Sequence, residues 1–207
     1  YNDYIRGPGH FQRSLTFLDQ LRQLGIYTMV MLTLSRDNMD QVLPLGRLLK
    51  DRVDTFNFNR LSTVGEGARL AMPSKKDFER FLRAYVAESG QNPILGLKDN
   101  LIDIILKEKN TAPFGGCTGY GCGAAFNFVA LLPDGEVHAC RKFPSPIGNI
   151  LRSPLIDIYH SEPARRYRQG SDACRGCEHS AVCRGCLAIS YGHGLDVFKE
   201  KDPFCFV

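Results

Sequence analysis

Residues 174–186 read CRGCEHSAVCRGC, four cysteines arranged as two C-x2-C knuckles five residues apart. A two-residue spacer lets two thiolates of one turn reach the same metal or cluster, so it recurs in zinc and iron–sulfur sites alike. Four more cysteines flank this run: Cys117, Cys122 and Cys140 before it, and Cys205 after it. No export signal opens the chain and the cysteines are clustered, which suits metal capture better than disulfide stapling. Eight thiolates divide into two sets of four, enough to ligate two [4Fe–4S] clusters completely. Zinc ribbons space their knuckles a dozen or more residues apart, and one zinc site here leaves four cysteines to be explained separately. Spacing alone leaves both metals open.

Around these knuckles the chain is Gly- and Cys-rich with little periodicity, the mark of a segment that folds on bound metal more than on a core. Residues 126–132, the turn Pro133-Asp134-Gly135 and residues 136–141 predict a β-hairpin, and residues 153–168 a helix after Pro154. All the cysteines lie beyond residue 116, and ahead of them helix and strand alternate. Phe11, Leu15, Leu18 and Leu21 recur at helical spacing, with Gly25 where a C-terminal cap belongs. Residues 26–34 (IYTMVMLTL) form a nearly unbroken apolar run, expected of a strand covered on both faces. A short helix over 44–51 precedes an alternating strand over 53–60 (VDTFNFNR) and the loop 62–68 (STVGEGA). Ser74 with Asp77 forms a capping pair for a helix through Phe78, Phe81, Leu82 and Tyr85, and a further helix spans 99–107. This order implies α/β structure with parallel strands and crossover helices. Two strands complete neither a barrel nor a doubly wound sheet, so this half reads as the end of a larger α/β unit.

The 207 residues, 43% of them hydrophobic, suffice for a core in one domain or two small ones. A net charge of +4 with scattered basic residues gives no nucleic-acid footprint. Its one dense run, Arg165-Arg166-Tyr167-Arg168, reads as a solvated helix face. Apolar runs are too short to span a bilayer and no signal peptide is visible, so a cytoplasmic protein without membrane contact is expected. A first residue other than Met suggests a true N-terminus upstream.

The series Cys122-x12-Gly135-x4-Cys140, Cys174-x2-Cys177-x5-Cys183 and Cys205 resembles the SPASM domain of radical S-adenosylmethionine (SAM) enzymes. That family usually ends its central run with C-x3-C, and Cys183-Arg184-Gly185-Cys186 is one residue shorter. The resemblance implies one auxiliary [4Fe–4S] cluster on Cys117, Cys122, Cys140 and Cys186, and another on Cys174, Cys177, Cys183 and Cys205. Full thiolate ligation favours electron transfer or structure over direct substrate binding. Asn2-Asp3-Tyr4-Ile5-Arg6-Gly7 looks like the stretch after the fourth strand of the radical SAM barrel. Residues 1–112 are then the C-terminal half of a partial (β/α)6 barrel and residues 113–207 the SPASM domain. By the same likeness Arg6, Thr33, Leu61, Gly65 and Gly67 face the SAM pocket, although Thr33 and Leu61 also suit ordinary packing and the glycines an ordinary turn.

No CxxxCxxC loop, which holds the SAM-cleaving cluster in that family, occurs in this chain, so it should not cleave SAM alone. The resemblance implies a parent enzyme with SAM and a third [4Fe–4S] cluster, a maturase of ribosomally made peptides. Its 5′-deoxyadenosyl radical would take a hydrogen from a precursor peptide, with a ferredoxin or flavodoxin as reductant. The wording GCLA…YGHGLDVF…DPFC over 185–205 is similar to maturases described as thio(seleno)oxazole-modifying. His138 and His179 are further candidate ligands, and His193 reads as a turn residue. The rival from another class is a non-enzymatic zinc or iron–sulfur module that only holds an interaction surface.

Overall fold

The computed structural model describes residues 1–112, 115–117 and 119–207. Pro113, where the expected second domain starts, lies outside the described residues. The chain packs as two compact units, Tyr1–Leu61 with Ala71–Leu97, and Ser62–Leu70 with Lys98–Val207.

In the first unit α1 (Asn2–Arg6) and α2 (His10–Gln23) lead into β1 (Met29–Leu34). Helix α2 starts where Asp3 accepts the N–H groups of Gly9 at 2.9 Å and Phe11 at 2.7 Å, capping it from outside. It ends in a Schellman turn: Gly25 takes φ 67°, and Gly25 and Ile26 donate to Arg22 and Leu21, each at 3.0 Å. Strand β1 pairs in parallel with β2 (Thr55–Arg60), from Met29 opposite Thr55 to Leu34 opposite Arg60, with α3 (Val42–Leu49) between them in sequence. The expectation that β1 is covered on both faces does not hold. Met29, Met31 and Thr33 are exposed whereas Leu34 is buried, so the pleat divides the apolar run into an open and a sheltered face.

Past β2 a third extended segment joins the sheet, which the pattern of residues did not reveal. Phe56 donates to Ile94 at 2.6 Å and accepts from Gly96 at 2.9 Å. Helix α4 (Lys75–Ser89) begins as its capping pair predicts, with Asp77 N–H on Ser74 Oγ at 3.1 Å. It buries Phe78, Phe81, Leu82 and Tyr85, and Phe81 and Tyr85 meet Phe58 edge-on at 5.2 and 4.9 Å.

The second unit opens with the segment Ser62–Leu70, held by Ser62 Oγ donating to Lys142 and Ala188 carbonyls and Thr63 Oγ1 to that of Gly192. Helix α5 (Ile102–Glu108) follows, buried from Ile102 through Leu106. The two-residue strands β3 (Gly115–Gly116) and β4 (Tyr120–Gly121) pair in parallel. The hairpin forms as β5 (Ala130–Leu131) and β6 (Glu136–His138), and β7 (Pro146–Asn149) adds an antiparallel third strand. Gly135 holds the turn at φ 83°, where a Cβ would stand 2.8 Å from Leu151 and 2.9 Å from Asn149.

The helix expected over 153–168 is two: α6 (Leu155–His160) and α7 (Glu162–Gln169). Pro163 has no N–H to return to Tyr159, and Ser161 turns extended and caps α7 through the Ala164 N–H. Short helix α8 (Leu187–Gly192) completes a core in which Ala124, Ala125, Ala139, Ala164 and Ala188 allow close approach around Val137, Phe143 and Ile158.

Candidate metal centre

All eight cysteines are free thiols, and they gather as two sets within the second unit. Cys122, Cys140 and Cys186 pack against the alanine-rich core. Dehydration raises the thiols of Cys117, Cys122 and Cys140, and charge on Cys186 pushes each further, Cys122 up to about 12. Cys174, Cys177, Cys183 and Cys205 line one cavity, whose free volume including its mouth is about 330 Å³. There dehydration again raises Cys174 and Cys183, and charge on Cys205 raises both further. The sets cross within a single knuckle: Cys183 belongs to one and Cys186 to the other. Arg184 at φ 57° and Gly185 at φ 60° make the reversal between them.

Residues that the motif does not include hold these loops. Asn100, buried, accepts the Cys117 N–H on Oδ1 at 3.1 Å and donates its amide to the Gly185 carbonyl, so it binds both ends of the constellation. Asp202, also buried, accepts the Cys186 N–H at 2.9 Å and the Phe204 N–H at 2.9 Å, and its carbonyl takes the Cys205 N–H at 2.8 Å. Ser145 Oγ accepts the Cys140 N–H at 3.0 Å and donates back within the same turn. Gly121, next to Cys122, lies against the peptides of Val182 and Cys183, where no Cβ fits. The only sequence hint of these roles is position, an Asp-Pro turn before Cys205 and glycines beside cysteines.

The histidines separate. His138 is used at both nitrogens, Nε2 facing Glu136 at 2.9 Å and Nδ1 accepting the Ser145 N–H at 3.0 Å. His193 closes α8 through Nδ1 and the Ile189 carbonyl, as a turn residue does. His179 is buried in the wall of the second cavity.

Thiol sulfurs are soft donors, suited to zinc, Cu(I) or iron–sulfur groups rather than to hard cations. Among the described residues no three His, Cys, Asp or Glu side chains converge closely enough to grip one metal ion.

Of the residues expected at a SAM pocket, Thr33 and Leu61 stand at the carboxyl ends of the paired strands, Leu61 N–H reaching the Leu34 carbonyl at 3.0 Å. Arg6 is exposed at the end of α1, in the same unit. Gly65 and Gly67 lie in an exposed 3₁₀ turn of the second unit, closed by a Glu66–Arg69 ion pair at 3.0 Å.

The SPASM model, described as an iron-sulfur cluster-binding domain, matches residues 122–186. An AdoMet-dependent heme synthase of Methanosarcina barkeri is 27% identical over 99% of this chain and 63% of its own length. The antilisterial bacteriocin subtilosin biosynthesis protein AlbA of Bacillus subtilis is 28% identical over 89% of this chain and 41% of its own. Streptococcus suis SuiB, solved bound to S-adenosylmethionine, superposes with a TM-score of 0.64 at 16% identity, over 95% of this chain and 49% of SuiB. The chain thus spans 41% to 63% of the length of these proteins. Residues 122–186 are thus similar to SPASM iron–sulfur cluster-binding domains, in a chain whose fold is like that of about half of SuiB.

Proposed function

We propose that this chain is the C-terminal portion of a peptide-modifying radical SAM/SPASM enzyme and binds two auxiliary [4Fe–4S] clusters. The observation that carries this reading is the gathering of eight thiols into two crossed sets of four, with the membership that the family resemblance implies. Cys117, Cys122, Cys140 and Cys186 would hold one cluster, and Cys174, Cys177, Cys183 and Cys205 the other. When bound, such clusters accept and pass single electrons. Asn100, Asp202 and Ser145 fix the backbone beneath the ligands, the usual task of groups just outside a metal centre. The dehydrated thiols stay protonated on their own, so loading releases protons and is coupled to folding.

Thr33 and Leu61, at strand carboxyl ends where open α/β sheets bind ligands, support SAM contacts on the first unit, and the family resemblance alone assigns Arg6, Gly65 and Gly67 to the same role. With no CxxxCxxC in its sequence, the chain itself holds no SAM-cleaving cluster, which belongs to the parent enzyme. A ribosomally made precursor peptide is the substrate we assign to that enzyme, from the likeness to AlbA, with a ferredoxin or flavodoxin as reductant in the cytoplasm. No described helix is long and apolar enough to cross a membrane. A second reading rests on the match to the Methanosarcina barkeri heme synthase, which would make the substrate a tetrapyrrole.

Anaerobic reconstitution with iron and sulfide tests the cluster reading. Eight irons per chain, with broad visible absorbance that bleaches with dithionite, are expected. Colourless protein carrying two zinc ions per chain overturns it and leaves a zinc-held module. Incubation of the parent enzyme with the peptide encoded beside its gene, or with a porphyrin precursor, separates the two substrates by the product mass.

A further inference from the structure

His179 stands between the knuckles of the second set, 5% exposed, in the wall of the cavity lined by Cys174, Cys177, Cys183 and Cys205. Its backbone is part of the ligand turn: the carbonyl accepts the N–H groups of Val182 at 3.1 Å and Cys183 at 2.9 Å. The main chain of His179 is therefore tied to the turn that carries Cys183. Its Nδ1 is buried and has no hydrogen-bond partner among the described residues. Buried polar atoms in native proteins are nearly always satisfied, and one that is not points to a partner outside the polypeptide.

Surrounding charges leave that nitrogen available. Glu178 Oε1 is 3.4 Å from Nε2, the other ring nitrogen, and so does not occupy Nδ1. Lys107 holds Glu178 on the other side, donating to its carboxylate and to its carbonyl at 3.1 Å each. His138, beside the first set, has both nitrogens occupied and offers no such atom.

Resting on the two-cluster reading above, we infer that His179 Nδ1–H donates a hydrogen bond to a sulfur of the group held by Cys174, Cys177, Cys183 and Cys205. It is a donor rather than a ligand because four thiolates already fill the four iron corners of a cubane. A lone pair aimed at anionic sulfur would be repelled, whereas an N–H is attracted. Hydrogen bonds to cluster sulfur raise the reduction potential because they favour the more negative, reduced state. His179 is thus a tuning residue that raises the potential of the second centre.

The test uses reconstituted protein, a redox titration followed by electron paramagnetic resonance, and the variants His179→Phe and His179→Gln. In the phenylalanine variant the reduced-to-oxidised ratio of one cluster at a set potential should fall about tenfold, a midpoint shift of about 59 mV for one electron. The other cluster should not move, and glutamine, which keeps a donor, should recover part of the shift. With histidine labelled in 15N, the wild type should show a histidine nitrogen coupled to one reduced cluster, absent in the phenylalanine variant. Eight irons with both midpoints unchanged in His179→Phe overturn the inference and leave the two-cluster reading intact. Wild-type protein that takes up no iron overturns that reading instead. If the phenylalanine variant loses iron, the wild-type histidine 15N coupling decides: present, the inference stands; absent, it falls.

Discussion

Replacing Gly121 by Ala puts a methyl group where the structure has a backbone. Gly121 takes φ 77°, a left-handed conformation that costs an L-residue roughly 1–2 kcal/mol. The added Cβ would also run into the Cys183 carbonyl oxygen and stand 2.6 Å from that of Val182. Both are main-chain atoms of the ligand turn, so relief requires moving that turn, and such overpacking costs about 1–3 kcal/mol. Together the two effects predict a loss of about 2–5 kcal/mol, a large part of a domain's usual 5–15 kcal/mol. Gly176, between Cys174 and Cys177, is the control, since its Cβ would meet nothing within 4 Å. Urea unfolding of both variants, with iron content measured in parallel, reads the difference. Gly121→Ala should shift the midpoint strongly and lose iron, while Gly176→Ala should stay within about 0.5 kcal/mol of wild type. A Gly121→Ala protein as stable and as iron-rich as Gly176→Ala would refute the claim that these loops are packed backbone to backbone.

Other expectations follow from the same region. Burial pushes Asp103 up to about 7 against the pull of the Gly115 N–H, so the folded state holds its proton more tightly than the unfolded chain. The stability it lends is complete below the ordinary value of 3.8 and drains away as pH rises to about 7. Asp103→Asn should therefore gain on the order of 1–3 kcal/mol over wild type at pH 8 relative to pH 4 in paired urea melts. Equal gain at both pH values would contradict this. Asn100→Ala strands the Cys117 N–H and the Gly185 carbonyl and should cost about 2–4 kcal/mol while loosening iron from both sets. Selective loss from one set would show that Asn100 serves only that one. Cys186→Ser should give the same residual spectrum as Cys140→Ser, and Cys205→Ser a different one. A Cys186→Ser spectrum matching Cys205→Ser would place Cys186 in the wrong set.

What the sequence displayed was mainly its local chemistry. Ser74 and Asp77 are three residues apart and cap one helix turn, and the Pro-Asp-Gly turn of the hairpin is likewise written in neighbouring residues. The extended segment at 94–96 left no trace because three residues carry no period. Asn100 meets Gly185 across 85 positions and Thr63 meets Gly192 across 129, distances at which one chain offers no pattern to read. The break at Ser161 is different in kind. Pro163 announced it, and the apolar and basic residues on either side masked the warning by keeping helical spacing through it.

The exchange of partners at Cys183 and Cys186 gives the two thiol sets overlapping spans, 117–186 and 174–205. No single cut in the chain leaves one set whole and discards the other cleanly, because residues 174–186 serve both. Centres built on these sets would share residues 174–186 and could not be transplanted as separate segments of chain. A protein engineer who wants one must take the pair, and a substitution between Cys183 and Cys186 is felt in both at once.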